Sequence, residues 1–478
     1  MKKLKPLNMK QTYKTIDYEW LIRPTGDPFA DAGGFAIEYL SKRFPEKDIL
    51  ELIDYVTKIY VEKWKGKINA FFLNSKITQP AFKGPKKIDE TLKYFKGLIS
   101  ETELSEIGYC RITGRETKLF PGGRDNSVMT GSGTLINFHH FFQKGIALSR
   151  EALIRIHFVP FACQQLQGKI MLLQSSEKEL SKLFVRHTVE QNLHEIGLGL
   201  SDGVAKSNLN KPANAIFGFV DQALSQLAKF GEGHVLPSLT LYHFTNFGAT
   251  PEIQLYQLPA NAFLFYRTCM QARFSEDWQL FVRSHYFDGK HKGARYNSVS
   301  GKFELVKSKE TEIVEPGEYK KWTNPIYDKL LNAENIRRDI LRWSRKHPFK
   351  FEIVSIYQQN IIGMKKETIA KIKELAAFLV REEDIEKAKK RIKALDGAKN
   401  ASELRRFLLK QAISPNYQEG NKNPIISVND YVDYLFPDGS YWAEIRDILL
   451  IAVYQELHEK DLLSDDLELE PENEAINE

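Results

Sequence analysis

Three stretches of this sequence combine cations with groups that can touch nucleic acid. The first is GGRDNS, Gly122 to Ser127. Arg124 and Asn126 carry donors of the kind that read base edges, and the glycines permit close backbone approach. Arg111, Arg115 and Lys118 lie just upstream and raise the local positive charge. An ordinary surface turn uses the same residue types, since Gly-Gly and Asp-Asn are turn formers. The second stretch is DGKHKGARYN, Asp288 to Asn297. Lys290, His291, Lys292 and Arg295 are interleaved with Tyr296, and Tyr286 flanks them. Cations for phosphate and rings for base stacking suit a nucleic acid; a solvated hairpin loop is the plainer alternative. The third stretch is a predicted helix over 335–346. Ile336, Ile340 and Trp343 mark its buried face, and Arg338, Arg342 and Arg345 form a stripe opposite. Arginines this close repel one another unless an anion is near, and a nucleic-acid backbone or an acidic protein would supply it. The lysine-rich AKKRIKAL, Ala388 to Leu395, reads first as a solvated helix face.

Enzyme signatures are weak. There is no GxxxxGK[ST] phosphate loop, no HExxH and no paired CxxC. The glycine runs GLGLSDG and TGSG lack the strand-then-helix setting of a dinucleotide site. His187 and His194, with Glu190 between them, lie two helical turns apart, too far to share a metal. The expectation is a protein with no catalytic site, cofactor or metal.

The elements that must position these residues divide the chain. Residues 1–330 mix helix and strand signals; residues 331–460 keep helical periodicity; residues 461–478 form an acidic tail expected to be disordered. The predicted fold class is therefore α+β, a mixed amino-terminal domain followed by a carboxy-terminal helical bundle. LIRPTGDPFADAGG reads as turn-rich, residues 108–134 as loop, and 176–230 as helical. Ile49, Ile53, Val56 and Tyr60 keep helical spacing. Lys169 to Leu173 reads as a buried strand. SLTLYHF and WQLFVRSHYF read as strands flanking a helical LPANAFLFYRTCMQA. In the bundle, Ile369, Ile372, Leu375, Ala376 and Leu379 form one apolar stripe, and Trp442, Ile445, Leu449, Val453 and Leu457 another.

Charge supports a polyanion partner. The formal net charge is +6, yet residues 461–478 hold eight acids and no Lys or Arg, so residues 1–460 carry +14. A soluble protein with a solvated acidic tail has the same balance. The three cysteines, Cys110, Cys163 and Cys269, are widely spaced and suggest no disulfide framework. MKKLKPLNMK is not followed by an apolar run, and ILLIAV is too short to cross a bilayer. A cytoplasmic protein with no membrane partner is expected.

Four segments, in order across most of residues 20–380, carry a family resemblance. LIRPTGDPFADAGGFAI resembles the amino-terminal TGNPFVDTG signature of the CXXC-CXXC family of CRISPR-associated large subunits, found in type I-B Cascade complexes. TGSGTLINFHHFFQKGIALSREALIRIHFVPFACQQLQGKIMLL is similar to the stretch holding that family's second cysteine pair. SLTLYHFTNFGATPEIQLYQLP resembles its central strand-and-loop segment, and YQQNIIGMKKETIAKIKELAAFLV the start of its carboxy-terminal helices. Two CxxC pairs let four thiolates enclose one tetrahedral zinc. Here the pairs read Cys110-Arg111-Ile112-Thr113 and Ser149-Arg150-Glu151-Ala152. One thiolate of four remains, in a degenerate zinc-ribbon region spanning about 108–165. Adjacent His139 and His140 do not rebuild the site, and the loop is expected to keep its shape by packing.

The resemblance implies a non-catalytic large subunit of a Cascade complex. Such subunits contact the 5′ handle of the guide RNA (crRNA) and recognise the protospacer-adjacent motif in target double-stranded DNA. They help open the duplex into an R-loop and recruit a downstream helicase-nuclease or transposition proteins. Partners would include the Cascade backbone and handle-binding subunits. The carboxy-terminal bundle would resemble the small subunit, which an internal start at Met364 would also yield separately. The nucleic-acid-binding residues would be Arg111, Arg115, Lys118, Arg124, Asn126, Lys290, Lys292, Arg295, Tyr296, Arg338, Arg342 and Arg345. The rival readings are a metal-dependent nuclease acting on RNA or DNA, and a purely architectural subunit that grips protein and guide RNA.

Overall fold

A computed structural model describes residues 16–100, 106–130, 145–227, 237–246, 252–307, 310–381, 385–418, 424–436 and 442–462. His139, His140 and the expected tail over 463–478 lie outside the described residues. The fold is mixed α+β with helix predominant. Contacts divide the chain into two compact units. One comprises Met1–Leu258 with Lys320–Trp322, the other Pro259–Tyr319 with Thr323–Glu478. The division falls at residue 258, ahead of the 330 expected from helical periodicity. The reason is aromatic packing: Phe265 meets Tyr357 at 5.4 Å and Phe281 meets Phe349 at 5.3 Å. These contacts tie helices before 330 to helices after it.

The first unit begins with helices whose starts are written in the sequence. Asp27 caps Pro28–Arg43 by accepting from the Ala30 amide at 2.7 Å, with Pro28 at the first helical position. Asp48 and Glu51 form a capping box on Ile49–Lys58. The Gly33-Gly34 pair, expected in a turn, lies inside Pro28–Arg43. A Cβ at Gly33 would sit 1.9 Å from the Arg155 carbonyl oxygen, so glycine is required for the helix to lie against Arg150–His157. That packing outweighs glycine's poor helix propensity.

Residues 108–130, expected as loop, instead supply strands. Glu106–Tyr109, Glu116–Gly122 and Ile146–Leu148 form an antiparallel three-stranded sheet. A second antiparallel sheet runs Gln164–Leu166, Lys169–Ser175, Leu239–Thr245 and Glu252–Leu258 in chain order. Its first hairpin turns on Gln167 and Gly168, both at positive φ, as a two-residue turn demands. Helices Lys178–Gly197 and Pro212–Leu227 are inserted between its second and third strands. The 176–230 region is thus two helices with a non-helical stretch between them.

In the second unit, WQLFVRSHYF is not a strand. Ser275–Ser284 is helical and buries Trp278, Phe281 and Val282. Positions i, i+3 and i+4 fit one helix face, and that periodicity overrides the β-propensity of the residues. A small antiparallel sheet follows, Arg295–Asn297, Lys302–Lys307 and Glu310–Val314. The helical bundle is as expected. Ile369, Ile372, Leu375, Ala376 and Leu379 are buried on Lys366–Leu379, which packs against Trp442–Glu459. Ile445, Leu449, Val453 and Leu457 are buried on the latter, while Trp442 is half-buried.

Candidate nucleic-acid interface

The two half-pairs that the family resemblance places in a degenerate zinc ribbon meet. Cys110 directly follows the first strand of the three-stranded sheet, and Ser149 caps the helix that follows the third. Burial alone would push the Cys110 thiol up. Hydrogen bonds from the Thr113 hydroxyl and from the Ser149, Thr113 and Ile112 amides outweigh it and hold the thiol below its ordinary value. The Ser149 hydroxyl accepts from the Ala152 amide at 3.1 Å. All four positions that would carry thiolates are thus linked through hydrogen bonds. The residues themselves do not fit zinc: one thiol, two hydroxyls and a methyl are not a tetrahedral thiolate set. Among the described residues, no three His, Cys, Asp or Glu side chains gather as a metal site.

This knuckle carries the first group of candidates. Arg111 is exposed, and its amide donates to the Ala147 carbonyl at 3.0 Å. Arg115 pairs with Asp17 at 3.5 Å and lies 5.3 Å from the Trp20 ring, which also receives Arg23 at 5.0 Å. Lys118 is exposed on the middle strand. Arg124 is half-buried in a turn closed by the Ser127 amide on the Gly123 carbonyl at 2.7 Å. Asn126 is committed to that turn. Its Oδ1 accepts from the Gly123 amide at 2.7 Å, and its Nδ2 donates to the Tyr94 hydroxyl at 2.9 Å and the Pro121 carbonyl at 3.1 Å. Both donors of the amide are used, so Asn126 shapes the loop, and Arg124 beside it keeps its Nε buried.

A second group lies in the other unit. Lys290, Lys292 and Arg295 are exposed, and among the described residues none forms an ion pair. His291 pairs with Asp288 at 2.8 Å. Tyr296 points into the small sheet's core, 5.2 Å from Phe303 and 6.2 Å from Tyr319. It is a packing residue there, not an open stacking face.

The arginine helix, Arg337–Ser344, splits its charges. Arg338 and Arg342 are exposed. Arg345 meets Asp396 with both carboxylate oxygens within 3.3 Å. Arg337, not singled out by its spacing, reaches Glu444 and Asp447 at 3.0 Å each. Helix Ser275–Ser284 leads to the Lys290 loop and packs on this helix, with Phe281 at 6.1 Å from Trp343.

Residues 342–477 match the family model described as the DevT C-terminal domain. That span lies within the helical second unit and covers less than half of the chain. No curated protein matches the chain, and no solved structure does. No helix among the described residues is long and apolar enough to cross a membrane.

The spacing of polar residues also missed the chemistry of the TGDPFADAGG segment. Asp31 accepts from the Thr25 amide and hydroxyl at 2.8 Å, from the Gly26 amide at 3.0 Å, and from buried Arg155 at 2.7 Å. Arg155 further donates to the Ala30 and Arg23 carbonyls at 2.7 Å and to the Trp20 carbonyl at 3.3 Å. The segment is a buried staple that fixes Trp20 and Arg23 at the surface. A short-range sequence pattern holds no sign of a partner so far along the chain.

Proposed function

We propose that the chain is the non-catalytic large subunit of a type I-B Cascade complex, and that it recognises the protospacer-adjacent motif in duplex DNA. The observation that carries this reading is the convergence of Cys110, Thr113, Ser149 and Ala152 at one knuckle. Those are the positions at which the family resemblance puts thiolates, and hydrogen bonds have taken the place of metal there. Base pairing to a guide reads sequence in such complexes, while the protein reads the adjacent motif and the duplex shape. Arg124 is the side chain that fits base-edge contact, and Arg111, Arg115 and Lys118 fit its phosphate surroundings. The guide-RNA handle suits the cations around Lys290, Lys292 and Arg295 and the exposed Arg338 and Arg342. Recruitment of a helicase-nuclease or of transposition proteins belongs to the same reading. So does a separate small subunit started at Met364, which follows the left-handed Gly363 that ends a helical segment. Mass spectrometry of the native complex would detect a fragment beginning there.

The deciding experiment compares guide-loaded complexes with and without this chain on duplexes that differ only in the adjacent motif, at fixed salt. Tightening of one motif by tenfold or more, about 1.4 kcal/mol, supports the reading. Equal tightening of every duplex makes the chain a backbone clamp. Failure to join the complex overturns the reading.

A further inference from the structure

Lysine dominates the segment from Glu62 to Lys87, where seven lysines follow that one acid. Two of them are engaged: Lys67 pairs with Asp202 at 2.9 Å, and the Lys87 ammonium donates to the Ile77 carbonyl. Lys76, Lys83 and Lys86 form no ion pair among the described residues. The Lys76 and Lys86 ammonium groups each lie 5.5 Å from the centre of the Phe82 ring, and Lys83 is the next residue in the chain. Asp125 acts on Lys76 through space without pairing with it. Like charges gathered on one ring repel, and an anion would relieve them.

The cluster sits on a rigid loop. The Ser75 amide donates to the Thr78 hydroxyl at 2.9 Å and the Thr78 amide to the Ser75 hydroxyl at 3.1 Å. The Leu73 amide donates to the Arg124 carbonyl at 2.7 Å, which docks the loop on the Arg124 turn. Asn126 of that turn holds Tyr94, on the helix Pro85–Ser100 that carries Lys86. The backbone that carries Lys76 and the helix that carries Lys86 are therefore docked on the Arg124 turn before any ligand arrives.

We propose that Lys76 and Lys86, gathered on Phe82 beside the Arg124 turn, and the adjoining exposed Lys83 form a contact site for the phosphodiester backbone of duplex DNA. The chemistry selects that class. Single-strand binders offer open aromatic faces to unstacked bases, whereas the Phe82 ring is engaged by two ammonium groups. A lysine ammonium is a point charge without the planar fork of arginine, so it suits phosphate better than a base edge. The contact is thus independent of sequence and positions the Arg124 turn on the duplex. It rests on the reading above only in that the chain meets duplex DNA.

The test uses the full chain and labelled duplexes of two unrelated sequences, with anisotropy read from about 50 to 200 mM salt. For K76A/K83A/K86A, the slope of log affinity against log salt should shrink by about 2.7, at roughly 0.9 per phosphate contact. Affinity at the low-salt end should fall at least about tenfold for both sequences alike. K76R/K83R/K86R should keep the wild-type slope. The melting midpoint of the alanine variant should change little, because the lost ammonium contacts to the Phe82 ring are offset by the removal of repelling charges. Should it drop, Lys83→Glu at the exposed position replaces the triple variant, with the slope expected to shrink by about 0.9 or more. An unchanged slope overturns the site, and so does a loss confined to one duplex sequence. Loss of single-stranded RNA binding with duplex binding intact also overturns it. Motif preference of the guide-loaded complex is a separate readout. Its absence in the wild type would sink the proposed function and leave the salt result standing.

Discussion

The two units bury arginine in different company. In the first, Arg155 is wholly buried, and three of its four partner groups are backbone carbonyls; the fourth is Asp31. In the second, Arg337 reaches only carboxylates, and one of these, Asp447, is also held by Arg446 at 2.7 Å. Backbone carbonyls cannot swing away to water when their donor is lost, and Asp447 has a second cation. Toward the surface the units are alike. The first pairs Lys67 with Asp202 and leaves Lys76, Lys83 and Lys86 without ion pairs among the described residues; the second spends Arg337 and Arg345 on acids and leaves Lys290, Lys292 and Arg338 without them. A count of cations therefore misleads, and the partner of each decides whether it belongs to the fold or to the surface.

The comparison breaks first at Arg155. Arg155→Leu strands the buried Asp31 carboxylate and three carbonyls, and should cost about 3–5 kcal/mol by equilibrium urea unfolding. Gly33→Ala drives a methyl into the Arg155 carbonyl and should cost about 3 kcal/mol or prevent folding. A wild-type midpoint for Arg155→Leu would remove the staple from the account. The same core offers a milder test by pH. His157 is fully buried, bonded to the Thr57 hydroxyl at 3.0 Å, and burial pushes its pKa down to about 3. The unfolded chain takes up that proton near pH 6.5 and the folded chain does not. Stability should thus be full above pH 6.5 and fall as pH drops from there toward 3, by about 1.4 kcal/mol per unit from this group. By pH 5 the loss is about 2 kcal/mol. His157→Gln should flatten that part of a stability-against-pH curve. An unaltered curve would mean that other buried histidines carry the dependence.

Arg337→Ala should cost less, about 2 kcal/mol, since Arg446 still holds Asp447. A double-mutant cycle with Glu444→Ala should give a coupling of at least about 0.5 kcal/mol. A cost as large as that of Arg155→Leu would erase the distinction between the two sites.

Local rules read much of this fold from the residues alone. The buried strand that starts at Lys169 and the apolar stripes of the bundle follow from spacing and side-chain type. What escaped was set by distant partners. Gly33 and Gly34 look like turn residues until the Arg155 carbonyl occupies the space that a side chain would need. WQLFVRSHYF looks like a strand until Trp278, Phe281 and Val282 are seen to share one buried face. At the candidate interface, Arg111, Lys292 and Arg338 face outward as their types suggest. Asn126 and Tyr296 do not stand free, because Tyr94 and Phe303 come from other elements to meet them. The lysines around Phe82 are spread from 76 to 86 without a motif, and only the fold gathers them.

The smallest effect separates two arginines of one stripe. Arg345 is paired with Asp396, and Arg338 has no ion pair among the described residues. Arg345→Ala should lower stability by up to about 1 kcal/mol, as for a partly exposed pair. Arg338→Ala should stay within about 0.5 kcal/mol of the wild type. For ligand binding the order should reverse. A phosphate can reach Arg338 at no cost in broken pairs, whereas Arg345 must first release Asp396. On the proposed function, Arg338→Ala should therefore weaken guide-RNA binding more than Arg345→Ala, with a salt slope smaller by about 0.7–0.9. If Arg345→Ala is the more damaging to binding, the arginine stripe acts as one anion site, and sorting cations by their partners fails on this helix.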